Sequence, residues 1–336
     1  MNFEIRPIAD AALEARIRAR LDSLTKPQGS LGHLEDLALQ LGLIQATESP
    51  KIGHKAMFVF CADHGVVEEG VSPYPSEVTR QMVANFQSGG AAVNVLCRDG
   101  DIEPVIVDMG VGRPTRNFTR QPAMTRAEAE HAIETGFAHA AHASTLGAGE
   151  MGIGNTTSAA ALFSAFSGFD PSETAGRGTG LDDAGVARKV DVIRRGLALH
   201  PFTSDPIKTL ADLGGFEIAA ITGLILGAAS RRRVVVLDGF IIGAAAIVAR
   251  AIAPASLDYV VFSHRSAERG HRKMLDFLDA RPLLNLDMRL GEGSGAALGI
   301  GLLESAVHLY SEMATFETAG VSTSEQPPEF PSGVTR

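Results

Sequence analysis

Glu150 is the residue around which chemistry gathers, because Gly147-Ala-Gly-Glu-Met-Gly-Ile-Gly-Asn-Thr-Thr157 sets one carboxylate in a run that otherwise offers mostly backbone. Glycines at 147, 149, 152 and 154 free the main chain for positive φ and let a ligand approach bare amides. Thr156 or Thr157 reads as the N-cap of the apolar segment 158–166. A helix starting there aims unpaired N–H groups and its positive dipole end at the run, which suits a phosphate or carboxylate. The same run also serves as a plain strand-to-helix turn. An acid among anion-seeking amides does little for a turn, but it suits proton or hydroxyl work beside a phosphate. Gly152, Asn155 and Thr156 are therefore candidates for holding the anion.

Other reactive groups stand where apolar runs stop. Residues 56–62 end in Asp63-His64-Gly65, residues 104–107 in an acid and a glycine, residues 233–237 in Asp238-Gly239, and residues 259–262 in Ser263-His264. Asp63 and His64 fit either a ligand site or a capped turn with a surface imidazole. Gly180 closes Gly-Arg-Gly-Thr-Gly, a second possible amide cradle that also fits structural punctuation. Lys189 follows on a helix, where it serves either a phosphate or solvent. Ser294 and Glu292 mark the amide-rich start of a long helix, Tyr74 offers a flat face to a ring from a Pro/Gly-rich segment, and Met82 follows on the next helix. Lys26, in Lys-Pro-Gln-Gly-Ser, fits an active-site cation but reads more readily as a solvated loop lysine. His131, His139 and His142 show no recognised metal-ligand spacing and read as surface residues.

The elements that must position these groups follow from pattern. Continuous apolar runs are what parallel strands buried on both faces require, and five strand candidates, counting 144–146, each run into Gly, Asp, Ser or His, mostly with a helix after. That alternation predicts an α/β fold with a doubly wound, mainly parallel sheet and one functional edge. Residues 11–24 and 31–44 read as two helices, and Thr125-Arg-Ala-Glu128 as a capping box opening a helix through 143. The chain has 336 residues, 45% of them hydrophobic, with 36 glycines, enough for one large domain and an appendage. A net charge of −9 disfavours nucleic acid and anionic membranes as partners. The absence of a clean apolar run of about 18 residues and of a signal-peptide core predicts a cytoplasmic protein. Cys61 and Cys97, unpaired in spacing, predict reduced core thiols.

The motifs Lys-Pro-Gln-Gly-Ser-Leu-Gly, Cys-Ala-Asp-His-Gly-Val, Gly-Glu-Met-Gly-Ile-Gly-Asn-Thr-Thr, Leu-Asp-Gly-Phe, Arg-Leu-Gly-Glu-Gly-Ser-Gly-Ala-Ala and Met-Ala-Thr-Phe-Glu occur in order from about residue 24 to 322. Together they resemble the nicotinate-nucleotide:dimethylbenzimidazole phosphoribosyltransferase family. The resemblance implies transfer of 5-phosphoribosyl from nicotinate mononucleotide to 5,6-dimethylbenzimidazole, giving nicotinate and α-ribazole 5′-phosphate for the lower ligand of cobalamin. It also implies a homodimer, a Rossmann-like sheet, a small helical domain made from both termini, and Glu317 as general base. The corresponding division is 1–50, 51–290 and 291–322, with a disordered tail at 323–336.

The residues fit that chemistry. The attacking ring must lose a proton from its second nitrogen, so a carboxylate acceptor is required, and Glu317 sits beside Phe316 near Met313. The pyridinium leaves as a neutral ring and needs no acid. Charge then concentrates on an oxocarbenium-like ribose, which Glu150 can stabilise. No pyrophosphate departs, so no cofactor or magnesium ion is expected. About 20 helical residues at roughly 1.5 Å each separate Ser294 from Glu317 by ~30 Å, so both line one pocket only if the helix breaks or a second subunit contributes. Two other classes share parts of the pattern. A dinucleotide dehydrogenase wants Gly-x-Gly-x-x-Gly after the first strand, where Asp-His-Gly stands. A non-catalytic nucleotide sensor has no use for Glu317.

Overall fold

The structure is a computed structural model and describes residues 3–322; the expected disordered tail lies outside them. From the amino end, α1 (Ala11–Ser23) and α2 (His33–Gln45) precede β1 (Lys55–Cys61), α3 (Glu77–Ser88), α4 (Ala92–Asp99), β2 (Glu103–Asp108) and α5 (Arg126–His139). Then come β3 (Thr145–Met151), α6 (Asn155–Ser167), α7 (Pro171–Thr174), α8 (Asp183–Leu199), α9 (Pro206–Leu213) and α10 (Phe216–Ser230). The remainder is β4 (Val234–Leu237), α11 (Phe240–Ile252), β5 (Val260–Phe262), α12 (His271–Leu278), α13 (Ser294–Glu312) and α14 (Phe316–Ala319).

The described residues divide into two compact units, 3–7 with 53–301 and 8–52 with 302–322. The division falls inside α13, eleven residues beyond the expected boundary at 290, and the first residues of the chain belong with the sheet. Among the described residues no helix is long and apolar enough to cross a membrane.

The larger unit is built on a five-stranded, all-parallel sheet of order β2-β1-β3-β4-β5. Side chains alternate across it with period two. Ala56, Phe58, Phe60, Leu146, Ala148, Val235 and Leu237 join the main core with α5, α10 and α11. On the opposite face Met57, Gly147 and Val236 meet the first turns of α13 at Ile300 and Gly299.

β3 is the largest departure from the sequence reading. Gly147, Gly149 and Glu150 lie in a buried strand, with Glu150 in register with Phe60, rather than in a loop. Of the four glycines only Gly154 takes a positive φ, 93°. The others are small for packing reasons: a Cβ on Gly147 would lie 2.4 Å from Cε of Met57, and one on Gly149 2.5 Å from the Glu292 carbonyl oxygen. The N-cap of α6 is correspondingly Gly154, two to three residues before the expected threonines.

Close helix contact shapes the other face. α10 is buried along nearly its whole length, and α5, opened by the expected Thr125–Glu128 capping box but ending at His139, lies against it. A Cβ on Gly136 of α5 would sit 1.7 Å from the Ala220 carbonyl oxygen. Gly136→Ala is therefore expected to lower stability by about 3 kcal/mol through overpacking. Gly301→Ala, with nothing within 4 Å of the added carbon, should raise it by up to about 1 kcal/mol through helix propensity. Chemical-denaturation midpoints of the two variants check the pair.

In the smaller unit Leu13, Ile17, Leu21, Leu24, Ala38, Leu39, Leu43 and Tyr310 form a separate core. Leu24 bridges Thr315, and the Thr25 amide donates to the Ala314 carbonyl at 3.0 Å. Lys26 is not solvated: it is buried and ion-paired with Glu35 at 2.8 Å, while the same carboxylate accepts the Leu31 amide.

Candidate active site

Strand order reverses direction between β1 and β3, and open parallel sheets bind ligands outside the carboxyl ends of their strands at such a point. A cleft lies at that edge. Its lining includes Glu150, Gly152, Asn155 and Thr156 after β3, Gly178 and Thr179, Gly239 after β4, His264 and Glu268 after β5, and Arg289 to Glu292 before α13.

One side of the cleft is acidic. Glu150, the penultimate residue of β3, is buried and accepts a hydrogen bond from the Asn155 side-chain amide. Burial, then the nearby carboxylates of Asp238 and Glu217, push its carboxyl up to about 8 against the opposing Asn155 bond. Glu292, pushed up to about 7 by burial and Asp238, stands between Gly291 and Gly293 with φ 65°, and all three residues lie in the left-handed region. A glutamate there is strained and persists only where its surroundings fix the backbone. Gly149 supplies the floor for that loop, and Asp238 anchors it from β4, accepting the Gly293 amide at 2.9 Å and the Gly295 amide at 2.8 Å. Asp238 also lies 3.2 Å from Nε2 of His264. His264 is buried, and its Nδ1 has no partner among the described residues.

This assigns the two helix N-termini different work. The amides opening α13 are already spent on the Asp238 carboxylate. Those of α6 start at a glycine with no side-chain cap; the Asn155 and Thr157 amides donate to the Gly152 and Gly154 carbonyls at 3.1 and 3.0 Å, and among the described residues no carboxylate caps this end. Lys189 reinforces it. Reaching from α8 and fully buried, its Nζ donates to Thr156 Oγ1 at 3.0 Å and to the Gly176 carbonyl at 3.2 Å. Burial pushes the ammonium down to about 8, and Glu268 opposes that shift. Glu268 in turn accepts the Gly178 amide at 3.2 Å, so the loop and the lysine are fixed together.

Of the sequence candidates, Glu150, Gly152, Asn155, Thr156 and His264 share the cleft wall, with Asp238 and Lys189 bonded directly behind. Gly180 lies outside the lining, its amide donating to Arg177 in a turn at 3.0 Å. Ser294 is buried and spends its hydroxyl on the Gly291 carbonyl at 2.8 Å, stabilising the loop rather than facing the cavity. Tyr74 is exposed and Met82 half-buried on α3; neither lines the cleft, although Thr79 of the same helix accepts the Ile153 amide at 3.2 Å. His64 is no surface residue. It is buried between Ser158 Oγ at 3.1 Å and Glu217 Oε1 at 2.6 Å, bracing α6 against α10, and Asp63 accepts the Gly112 amide. Glu317 belongs to the smaller unit, exposed on α14 behind a Thr315 cap.

Glu268 escapes a reading of the sequence, since nothing in Ser-Ala-Glu-Arg-Gly marks it. Glu292 carries a signal, an acid between glycines, which the sequence presents only as a helix start.

A family profile described as phosphoribosyltransferase matches residues 6–321. The nicotinate-nucleotide–dimethylbenzimidazole phosphoribosyltransferase of Ralstonia nicotianae is 51% identical over 95% of this chain and 96% of its own length. The protein of the same name from Roseiflexus sp. is 48% identical over 95% and 96% respectively. The crystal structure of CobT from Thermus thermophilus superposes with a TM-score of 0.89 at 43% identity, covering 93% of this chain and all of that one.

Proposed function

This chain belongs to the nicotinate-nucleotide–dimethylbenzimidazole phosphoribosyltransferase family, and from that premise we propose how its own residues carry the reaction. It transfers the 5-phosphoribosyl group of nicotinate mononucleotide to 5,6-dimethylbenzimidazole in cobalamin lower-ligand synthesis. One ring nitrogen of the benzimidazole attacks C1′. The bond from C1′ to the pyridinium nitrogen breaks with its electron pair going to nicotinate, and the proton on the second benzimidazole nitrogen passes to a carboxylate, Glu317 in this reading.

The observation that carries the assignment of parts is the polarity of the cleft. The uncapped amino end of α6, Thr156 and the buried Lys189 offer one place for a phosphate, while Glu150 and Glu292 offer the place for a ring and sugar that carry positive charge. The phosphate is held by Gly152, Asn155, Thr156 and Lys189. Asp238 and His264 shape the wall beside the sugar. Glu150, itself buried, stabilises charge developing at C1′. Tyr74 and Met82 lie outside the cleft lining, and their part in this reading is limited to the flat and apolar faces they offer an aromatic ring.

Nicotinate release, followed with and without dimethylbenzimidazole, tests the reading. Release that requires both substrates supports it. Binding without turnover points to a nucleotide sensor, and hydride exchange at the pyridine ring to a dehydrogenase.

A further inference from the structure

Away from the cleft, where the strands begin, three side chains from three separate segments converge. Nε2 of His54 and Nε2 of His142 each lie 2.9 Å from the same Glu103 oxygen, Oε2, and one ligand atom from each of the three lies within 4.8 Å of the others. We propose that His54, Glu103 and His142 form a binding site for a divalent transition-metal ion of the zinc type.

The backbone holds these groups in place before any ion arrives. Glu103 is the first residue of β2 and pairs in register with Ala56 of β1. His54 immediately precedes β1, and its carbonyl accepts the amides of Ser144 and Thr145 at 2.9 and 3.0 Å. Those two hydrogen bonds tie His54 to the turn carrying His142. The His142 ring stands edge-on to Phe58 at 5.9 Å between centroids, and the two imidazoles lie 5.4 Å apart with their Nε2 atoms converging. Two imidazoles and a carboxylate are a recurrent zinc ligand set, with Zn–N near ~2.0–2.1 Å and the fourth position left to water. Small side-chain rotations replace two N–H···O contacts by coordination. All three side chains are about half exposed, so the ion enters from solvent.

An ion here links the starts of β1 and β2 with the turn before β3, at the other end of the strands from Glu150. Its effect is on stability, and transfer activity is left alone. The set escapes sequence reading because its members stand at 54, 103 and 142, with none of the short spacing that marks a metal motif.

The experiment uses the full chain treated with chelator and dialysed, titrated with zinc chloride by calorimetry and followed by thermal unfolding. One ion per chain, a rise in the unfolding midpoint, and affinity weakened at least roughly tenfold both in the His54→Ala/His142→Ala variant and in the near-isosteric Glu103→Gln variant are expected. Both variants should keep wild-type transfer rates without added metal, which shows that they fold. Equal zinc stoichiometry and affinity in wild type and variants, or no wild-type binding tighter than roughly 100 µM, overturns the proposal.

Discussion

Glu317→Gln is expected to lower kcat by about 10²–10⁴-fold, the usual worth of a positioned general base, with nicotinate mononucleotide affinity little changed. The substitution keeps size and polarity and removes only the ability to take a proton at neutral pH. Folding should not confuse the result. Glu317 is exposed on a four-residue helix whose cap is made by Thr315 and Thr318, and surface changes of that kind stay within about ±0.5 kcal/mol. Steady-state rates beside equilibrium binding of the nucleotide separate the chemical step from binding, and unchanged turnover removes Glu317 from the mechanism. Because the carboxylate is exposed in the single chain, its desolvation must come from the bound ring or from a second copy. Mixing Glu317→Gln with Glu150→Gln distinguishes the two. If base and cleft come from different copies, a mixed dimer regains one intact site and activity rises above either parent; if they come from one chain, nothing is regained.

Much of the fold was legible because strands buried on both faces leave no polar alternation to misread. Residues 56–62 and 233–237 match β1 and β4, buried throughout; 104–107 matches β2 in position, but β2 is the edge strand, with Glu103, Pro104 and Asp108 exposed, and the chemistry at the strand ends, Asp238 above all, follows from where parallel sheets bind. β3 was obscured by its glycines, which look like loop residues until the 291–293 backbone and Met57 are placed against them. Proximity in space set the other limits. Glu268 matters through a loop amide 90 residues earlier in the chain, and Ser294 is drawn away from the cavity by a carbonyl three residues back. His64 fits a ligand site or a surface imidazole in the sequence, which does not show that Glu217 and Ser158 enclose it.

Glu150→Gln should cost less turnover, roughly 10–100-fold, below the usual 10²–10³ for a dedicated oxyanion donor, but it should change how the protein responds to pH. In the ligand-free fold burial and neighbouring acids push the Glu150 carboxyl from 4.5 up to about 8, so near pH 7 it is mostly protonated and carries no charge to offer the sugar. The pyridinium of the nucleotide reverses that balance, since a cation beside a carboxyl favours its ionised form. Nucleotide binding near neutrality is therefore expected to expel a proton, read as a dependence of the calorimetric heat on buffer ionisation enthalpy, and Glu150→Gln should remove most of it. Stability carries the same signature. A carboxyl whose folded pKa is raised contributes stability that is fully present below 4.5 and is lost as pH rises through about 8. The glutamine variant should accordingly show a flatter fall in unfolding free energy across that window, with a residual slope from Glu292, whose carboxyl is pushed up to about 7. An unaltered slope together with unaltered proton release would mean that Glu150 is ionised before the nucleotide arrives, and its part in the transfer would then be a fixed charge awaiting the substrate.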